Sequence, residues 1–352
     1  MNRKKLDEMF TKTSVDALIS EAPQTRLWYT GIQTTDGFIV IEKNQATLFV
    51  DGRYIEYAQK YAKNVEIVLI QGNAMSQWFK NKNFKKIALE KEYLVKNIQD
   101  RIVSLVQPES IEWVSAQELR ILKDKEELKL IQKAVDISLE ALQELKSFIK
   151  PGMTEKEVAA KLNYLMKLKG AEKEGFDEII ATAESSAEPH HHPTDKQIKN
   201  NSLLKIDFGA QYKGYTADIT RTFIFGDEEL STEKEKEILK IVQEAAALGR
   251  KHVKPGIKVS KIDNVCREYI TQKGYGQYFV HSTGHGLGID VHELPNVSSR
   301  SDYILEPGMI ITVEPGIYIP GLGGARIEDD VLVTETSYYV FSRPEETNEK
   351  PF

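Results

Sequence analysis

Two 21-residue segments, KPGMTEKEVAAKLNYLMKLKG from Lys150 and KPGIKVSKIDNVCREYITQKG from Lys254, align without a gap at an offset of 104 residues. Both end on Lys-Gly and match apolar residues at helical spacing: Val158 with Ile262, Leu162 with Cys266, Leu165 with Tyr269, Met166 with Ile270. Lys-Pro-Gly alone is only punctuation at a helix entry; the shared ends and apolar positions point to a duplication. The last two thirds of the chain is therefore expected to be a pseudo-twofold domain whose repeated elements meet at its centre.

Each helical copy is followed by an acid-bearing hairpin. Residues 203–225 alternate about Gln211-Tyr212-Lys213-Gly214 and read as a β-hairpin. With the turn centred between Tyr212 and Lys213, Asp207 falls opposite Asp218, Ile206 opposite Ile219 and Phe208 opposite Ala217, and the period of two puts both acids on one face. Directly opposed side chains lie roughly 4.5–5.5 Å apart at Cβ, where two ionised carboxylates repel unless a cation lies between them. Residues 309–333 repeat the design around Pro320-Gly321-Leu322-Gly323-Gly324, with Glu314 roughly opposite Glu328. One such hairpin is an ordinary solvated acidic face. Two of them flanking His285, bracketed by glycines in TGHGLG, supply four carboxylates and one imidazole. Asp207, Asp218, His285, Glu314 and Glu328 form a hard donor set suited to two divalent cations, Mn2+ first and Co2+ or Zn2+ as alternatives, rather than to a thiolate zinc site.

A chain of 352 residues exceeds the size at which single cores stop growing, so two domains are expected. The first third alternates strands (VDALIS, GFIVIE, ATLFV, VEIVLI, KIALE) with helical runs near 53–63 and 75–82, an α/β pattern, and 116–150 changes to a long charged amphipathic helical region. These shifts predict a domain boundary near residues 110–125, with an α/β N-terminal domain over 1–118 and an α+β domain over 119–352. The net charge of −6 argues against a nucleic-acid partner, which would need a basic stripe. The one cysteine, Cys266, permits no disulfide within the chain and reads as a small buried hydrophobe. No signal-peptide core and no 18-residue apolar run is present, so a cytoplasmic protein without a membrane partner is expected.

IDFGAQYKGYTADITRTF, HSTGHGLGIDVHE, GMIITVEPGIY and GGARIEDDVLV together resemble the proline-specific metallopeptidases of the pita-bread fold, the aminopeptidase P and prolidase group. VDALIS, RLWYTGI and LFVDGRY resemble the creatinase-type N-terminal domain that those enzymes carry. The resemblance implies that the five donors hold two metal ions, with Asp218 and Glu328 bridging, and that His190, His281 and His292 handle protons or position substrate. It further implies that Glu314 shuttles a proton while remaining a ligand, that Arg326 orients the substrate, and that the enzyme is a homodimer acting on peptides with proline second. One loop departs from the pattern. Where relatives show glycine, ATAESSAEPHHH carries Ala183 and His191, and His190 is the best match for the first active-site histidine because it follows Pro189. His191 and His192 read as polar loop residues.

Ser282 stands where many prolidases carry arginine, which tilts the reading towards an Xaa-Pro aminopeptidase, with an Xaa-Pro dipeptidase as the alternative. A methionine aminopeptidase lacks such an N-terminal domain, and a creatinase-like hydrolase lacks the ligand set. A catalytically inactive binding module on the same fold is free to lose its ligands, and all five remain here.

Overall fold

A computed structural model describes residues 1–346 and divides the chain into two compact units, Met1–Leu122 and Lys123–Phe352. Unit 1 runs α1 (Lys4–Thr13), β1 (Ala17–Ser20), α2 (Pro23–Thr30), β2 (Phe38–Glu42), β3 (Ala46–Val50), α3 (Ile55–Tyr61), β4 (Glu66–Leu69), α4 (Ala74–Lys82), β5 (Lys86–Glu90), α5 (Lys96–Val106), β6 (Ser110–Val114) and α6 (Ala116–Leu119). Its strands form one mixed sheet in the order β4-β3-β2-β1-β5-β6, with Ile19, Val40, Phe49, Ile87 and Leu89 in the core. The α/β pattern read from the first third is therefore present, with β6 and three of the helices added.

Unit 2 begins with α7 (Lys125–Phe148), α8 (Glu155–Leu168), β7 (Lys173–Glu174), β8 (Ile179–Thr182), β9 (Ser202–Phe208), β10 (Ala210–Tyr212), β11 (Tyr215–Thr216) and β12 (Ile219–Phe225). It continues with α9 (Glu233–Lys251), α10 (Val259–Gln272), β13 (Gly284–Gly286), β14 (Glu293–Val297), β15 (Ile310–Val313), β16 (Gly316–Ile319), β17 (Gly323–Arg326), β18 (Asp329–Val333) and β19 (Tyr338–Val340). The long helical region of 116–150 is broken between α6 and α7, because Asp124 caps a new helix, its side chain accepting from the Glu126 and Glu127 N–H groups while Glu127 reaches back to it.

The duplication is visible in the backbone. α8 and α10 are both 14 residues long and their bounds differ by the 104-residue offset. Val158, Leu162, Leu165 and Met166 are buried, as are Ile262, Cys266 and Ile270; only Tyr269 stays half exposed, its hydroxyl donating to Glu244. The glycines that open the copies, Gly152 and Gly256, share a left-handed backbone (φ 90° and 80°). The Cys266 thiol is fully buried and pushed up to about 12 by that burial.

The second hairpin keeps the expected register: Val313 pairs with Asp329 and Gly316 with Arg326, so Glu314 and Glu328 lie across from each other where β15–β18 passes into β16–β17. The first does not. Ile219 pairs with Phe208, Thr220 with Asp207 and Arg221 with Ile206, a shift of two residues from the expected pairing. The cause is the turn. Tyr212 pairs with Tyr215 and closes a two-residue loop at Lys213-Gly214, both with positive φ (47° and 79°), as the tightest hairpin turn requires. Moving the centre by one residue moves every partner by two, which preserves the parity of the faces. Asp207 and Asp218 therefore still share a face, but diagonally, and Thr220 occupies the place opposite Asp207.

Candidate active site

The nine residues singled out from the sequence line one cavity of about 420 Å³ in unit 2: His190, Asp207, Asp218, His281, His285, His292, Glu314, Arg326 and Glu328. Asp207 comes from the end of β9, Asp218 from the link before β12, His285 from β13, Glu314 from the step between β15 and β16, and Arg326 and Glu328 from the end of β17 and the residues after it. Asp218, His285 and Glu328 each present a donor atom within 4.8 Å of the others. His285 Nε2 lies 3.2 Å from Glu314 Oε1 and 3.6 Å from Asp218 Oδ2. His285 Nδ1 donates to the Gly286 carbonyl (3.0 Å), which fixes the ring and leaves Nε2 facing the carboxylates.

Gathering four acids in a buried cage has an electrostatic consequence. Burial, reinforced by the neighbouring carboxylates, pushes Asp218 and Glu328 well above the usual carboxylate range. Burial acts on Glu314 in the same direction, but His285 outweighs it and holds that carboxyl at about 2. His285 is raised despite its burial, because Glu314 favours its charged form. Asp207 Oδ1 is buried with no hydrogen-bond partner among the described residues, although Arg326 Nη2 contacts Oδ2. A buried carboxylate oxygen left unpartnered beside mutually repelling acids needs a cation, and hard divalent ions fit this oxygen-rich set.

Around the cage runs a second layer that the sequence reading passed over. Thr220 Oγ1 donates to Glu328 Oε2 (2.5 Å) and accepts from Arg326 Nε (3.0 Å). Thr312 Oγ1 donates to Glu314 Oε1 (3.1 Å) and accepts from the His285 N–H (3.1 Å). Tyr318 OH accepts from Arg326 Nη1 (2.9 Å) and donates to His281 Nε2 (2.8 Å), while His281 Nδ1 donates to the Ser282 carbonyl (2.7 Å). Asp330 Oδ2 accepts from the Asp218 N–H (3.1 Å), and burial pushes this carboxyl up to about 8. Each of these residues stands two or four positions from a recognised one along a strand: 220 beside 218, 312 and 318 about 314, 330 beside 328. Period two was the available signal.

Burial lowers both His281 and His292, in His292 with help from the His285 ring, whose centroid is 4.3 Å away. At neutral pH both therefore offer neutral imidazoles. His190, His191, His192 and His292 all line the cavity; His191 is buried and the other three are exposed. His252, outside the cavity, accepts its place at the C-terminal end of α9, with Nδ1 2.8 Å from the Leu248 carbonyl.

Residues 129–335 match the model of metallopeptidase family M24, and residues 2–121 match that of the creatinase/prolidase N-terminal domain. The chain belongs to family M24. Its fold is thus the creatinase-type N-terminal domain followed by the pita-bread domain, and membership implies divalent metal ions and peptide substrates. Among curated relatives, an Xaa-Pro dipeptidase of Pyrococcus furiosus is 39% identical over 94% of either chain. Among solved structures, an Xaa-Pro dipeptidase from Bacillus anthracis superposes with a TM-score of 0.91 at 37% identity, covering 97% of this chain and 96% of that one. An X-Pro aminopeptidase from Thermotoga maritima gives 0.89 at 34% identity, covering 95% and 97%. No helix among the described residues is long and apolar enough to cross a membrane.

Proposed function

We propose that this M24 member hydrolyses the peptide bond between an N-terminal residue and a following proline, using two divalent ions, most naturally Mn2+, held by Asp207, Asp218, His285, Glu314 and Glu328, and that it works as a homodimer. The observation that carries the reading is the convergence of those five donors with His190, His281, His292 and Arg326 on one cavity. When bound, the ions supply a Lewis acid and lower the pKa of a water. Glu314 accepts a proton from the attacking water and passes it to the leaving nitrogen. His292 and His190 face the cavity as hydrogen-bond donors for the oxyanion. Arg326 and Tyr318 hold His281, fixing the wall against which substrate is placed. The bond before proline is a tertiary amide without an N–H, so the site has no amide hydrogen to bind and selects by the ring.

An aminopeptidase is favoured over a dipeptidase by Ser282, an uncharged residue at the cavity where a dipeptide carboxylate would call for a cation. The dipeptidase reading draws on the relatives named above. Hydrolysis of Ala-Pro, an Ala-Pro-Xaa peptide and a peptide without proline, with Mn2+ added, separates them. Cleavage of the longer peptide is expected; cleavage of the dipeptide alone makes the enzyme a dipeptidase, and cleavage only of the peptide without proline defeats the proposal. Sedimentation at micromolar concentration tests the dimer.

A further inference from the structure

We propose that His191 is a positioning residue that clamps the His190 loop against a strained backbone at Ala183, so that His190 is presented to the cavity; the functional consequence rests on the reading given above. The loop after β8 starts at Ala183, whose φ of 48° is left-handed, a conformation that favours glycine. Such a residue persists only where its surroundings over-determine it. Eight residues later His191 is buried, and both of its ring nitrogens meet carboxylates: Nδ1 lies 2.7 Å from Glu188 Oε2 and Nε2 lies 2.8 Å from Glu155 Oε2. Glu155, the first residue of α8, also accepts from the N–H of Thr182, and from the N–H and hydroxyl of Thr194. One buried carboxylate thus gathers both ends of the loop, and His191 ties its middle to the same point.

Underneath, Lys205 extends from β9 with its ammonium wholly buried, donating to the carbonyls of Ser186, Glu188 and Pro189. Arg326 Nη1 donates to the Pro189 carbonyl as well (3.1 Å). Pro189 and His191 are therefore both held in place; all three residues line the cavity, and His190 between them is the exposed one. Ala183 and His191 are thus the strained point and the clamp of one loop. The clamp holds what the strain would release.

A coupling between these two residues follows, and it is not expected of a histidine that merely fills space. The four proteins of the cycle, wild type, His191→Ala, Ala183→Gly and the double variant, are compared for kcat and KM on an Ala-Pro-Xaa peptide, for bound Mn2+, and for hydrogen exchange of segment 183–192. His191→Ala is expected to lower kcat roughly tenfold, with KM and bound metal unchanged and faster exchange in the loop. Ala183→Gly alone stays within about twofold of wild type, and added to His191→Ala it restores kcat to within about threefold and slows the exchange again. Wild-type kcat in His191→Ala, or a loss that Ala183→Gly does not reverse, overturns the proposal. If His191→Ala does not fold, Glu188→Gln replaces it in the cycle, since the Glu188 carboxylate is largely exposed and meets the ring from the solvent side; about threefold loss with the same rescue is expected, and its absence is equally decisive. Should wild type cleave no Xaa-Pro peptide, the functional reading fails while the exchange data still decide the clamp.

Discussion

The two copies of the repeat in unit 2 share a helix of the same length and the same buried face, yet they fasten their active-site loops by different chemistry. In the first copy the acid sits at the helix start: Glu155 gathers Thr182, His191 and Thr194. In the second it sits one turn further on. Asp263, fully buried, accepts from the Thr283 N–H (3.0 Å) and hydroxyl (2.9 Å) and pairs with Arg267, which donates to the carbonyls of Phe279 and His281. At the 104-residue offset the counterparts of Asp263 and Arg267 are Ala159 and Asn163, so the first copy has no such pair and uses Lys205 and His191 instead. The apolar face of the repeat is set by packing and survived duplication; the polar ties follow what each loop must present. A helix acid anchoring a histidine-bearing loop is the shared solution.

The largest effect is expected where the copies meet. Glu328→Gln or Asp218→Asn should lower kcat by at least about 10³-fold and reduce bound metal, because either removes a charge from the common cage; near-wild activity would mean that the two hairpins do not share one centre. Next come the histidines presented by each copy. His292→Ala is expected to slow turnover about 10²-fold and to leave metal bound, and His190→Ala should do the same within a factor of ten if both loops deliver equivalent donors.

Asp263→Asn breaks the second tie. It leaves Arg267 without its partner beside two buried loop donors and should cost about 2 kcal/mol in denaturant unfolding, at the low end for such pairs because Arg267 is one third exposed. The first tie is distinguished by pH. Burial raises Glu155, but its hydrogen bonds from Thr194, His191 and the Thr182 N–H outweigh this and hold it below its ordinary value of 4.5. A depressed folded-state pKa contributes stability above about pH 4.5 that is lost as the pH falls through the folded value. Thermal melts from about pH 6 to pH 3 should therefore show an acid limb that Glu155→Gln flattens. The smallest effect concerns helix starts. Thr154 caps α8 through a capping box with Glu157, whereas Lys258 offers α10 no side-chain cap. Thr154→Ala should destabilise by about 1 kcal/mol, and Lys258→Thr should stabilise by less than that.

Much of this was legible in the sequence because it rests on local rules. The repeat came from helical periodicity, and the Glu314–Glu328 pairing from a hairpin whose loop is rich in glycine. The Asp207 partner was misplaced because four residues, Gln211 to Gly214, could each flank the turn, and only the positive φ of both Lys213 and Gly214 selects the centre. Thr220, Thr312, Tyr318 and Lys205 were legible only in part: alternation puts them on the right faces, but their partners lie up to 108 residues away, as for Thr220 and Glu328, and no local pattern encodes that distance. His191 looked like a polar loop residue because the acid that buries it, Glu155, is a helix residue 36 positions earlier.

Titration of metal-free protein with Mn2+ by calorimetry tests most directly the claim that both copies contribute to one two-ion centre. Two equivalents per chain in the wild type, with both sites weakened by the single change Glu328→Gln, is the predicted result. One equivalent, or two that persist unchanged in Glu328→Gln, would contradict it.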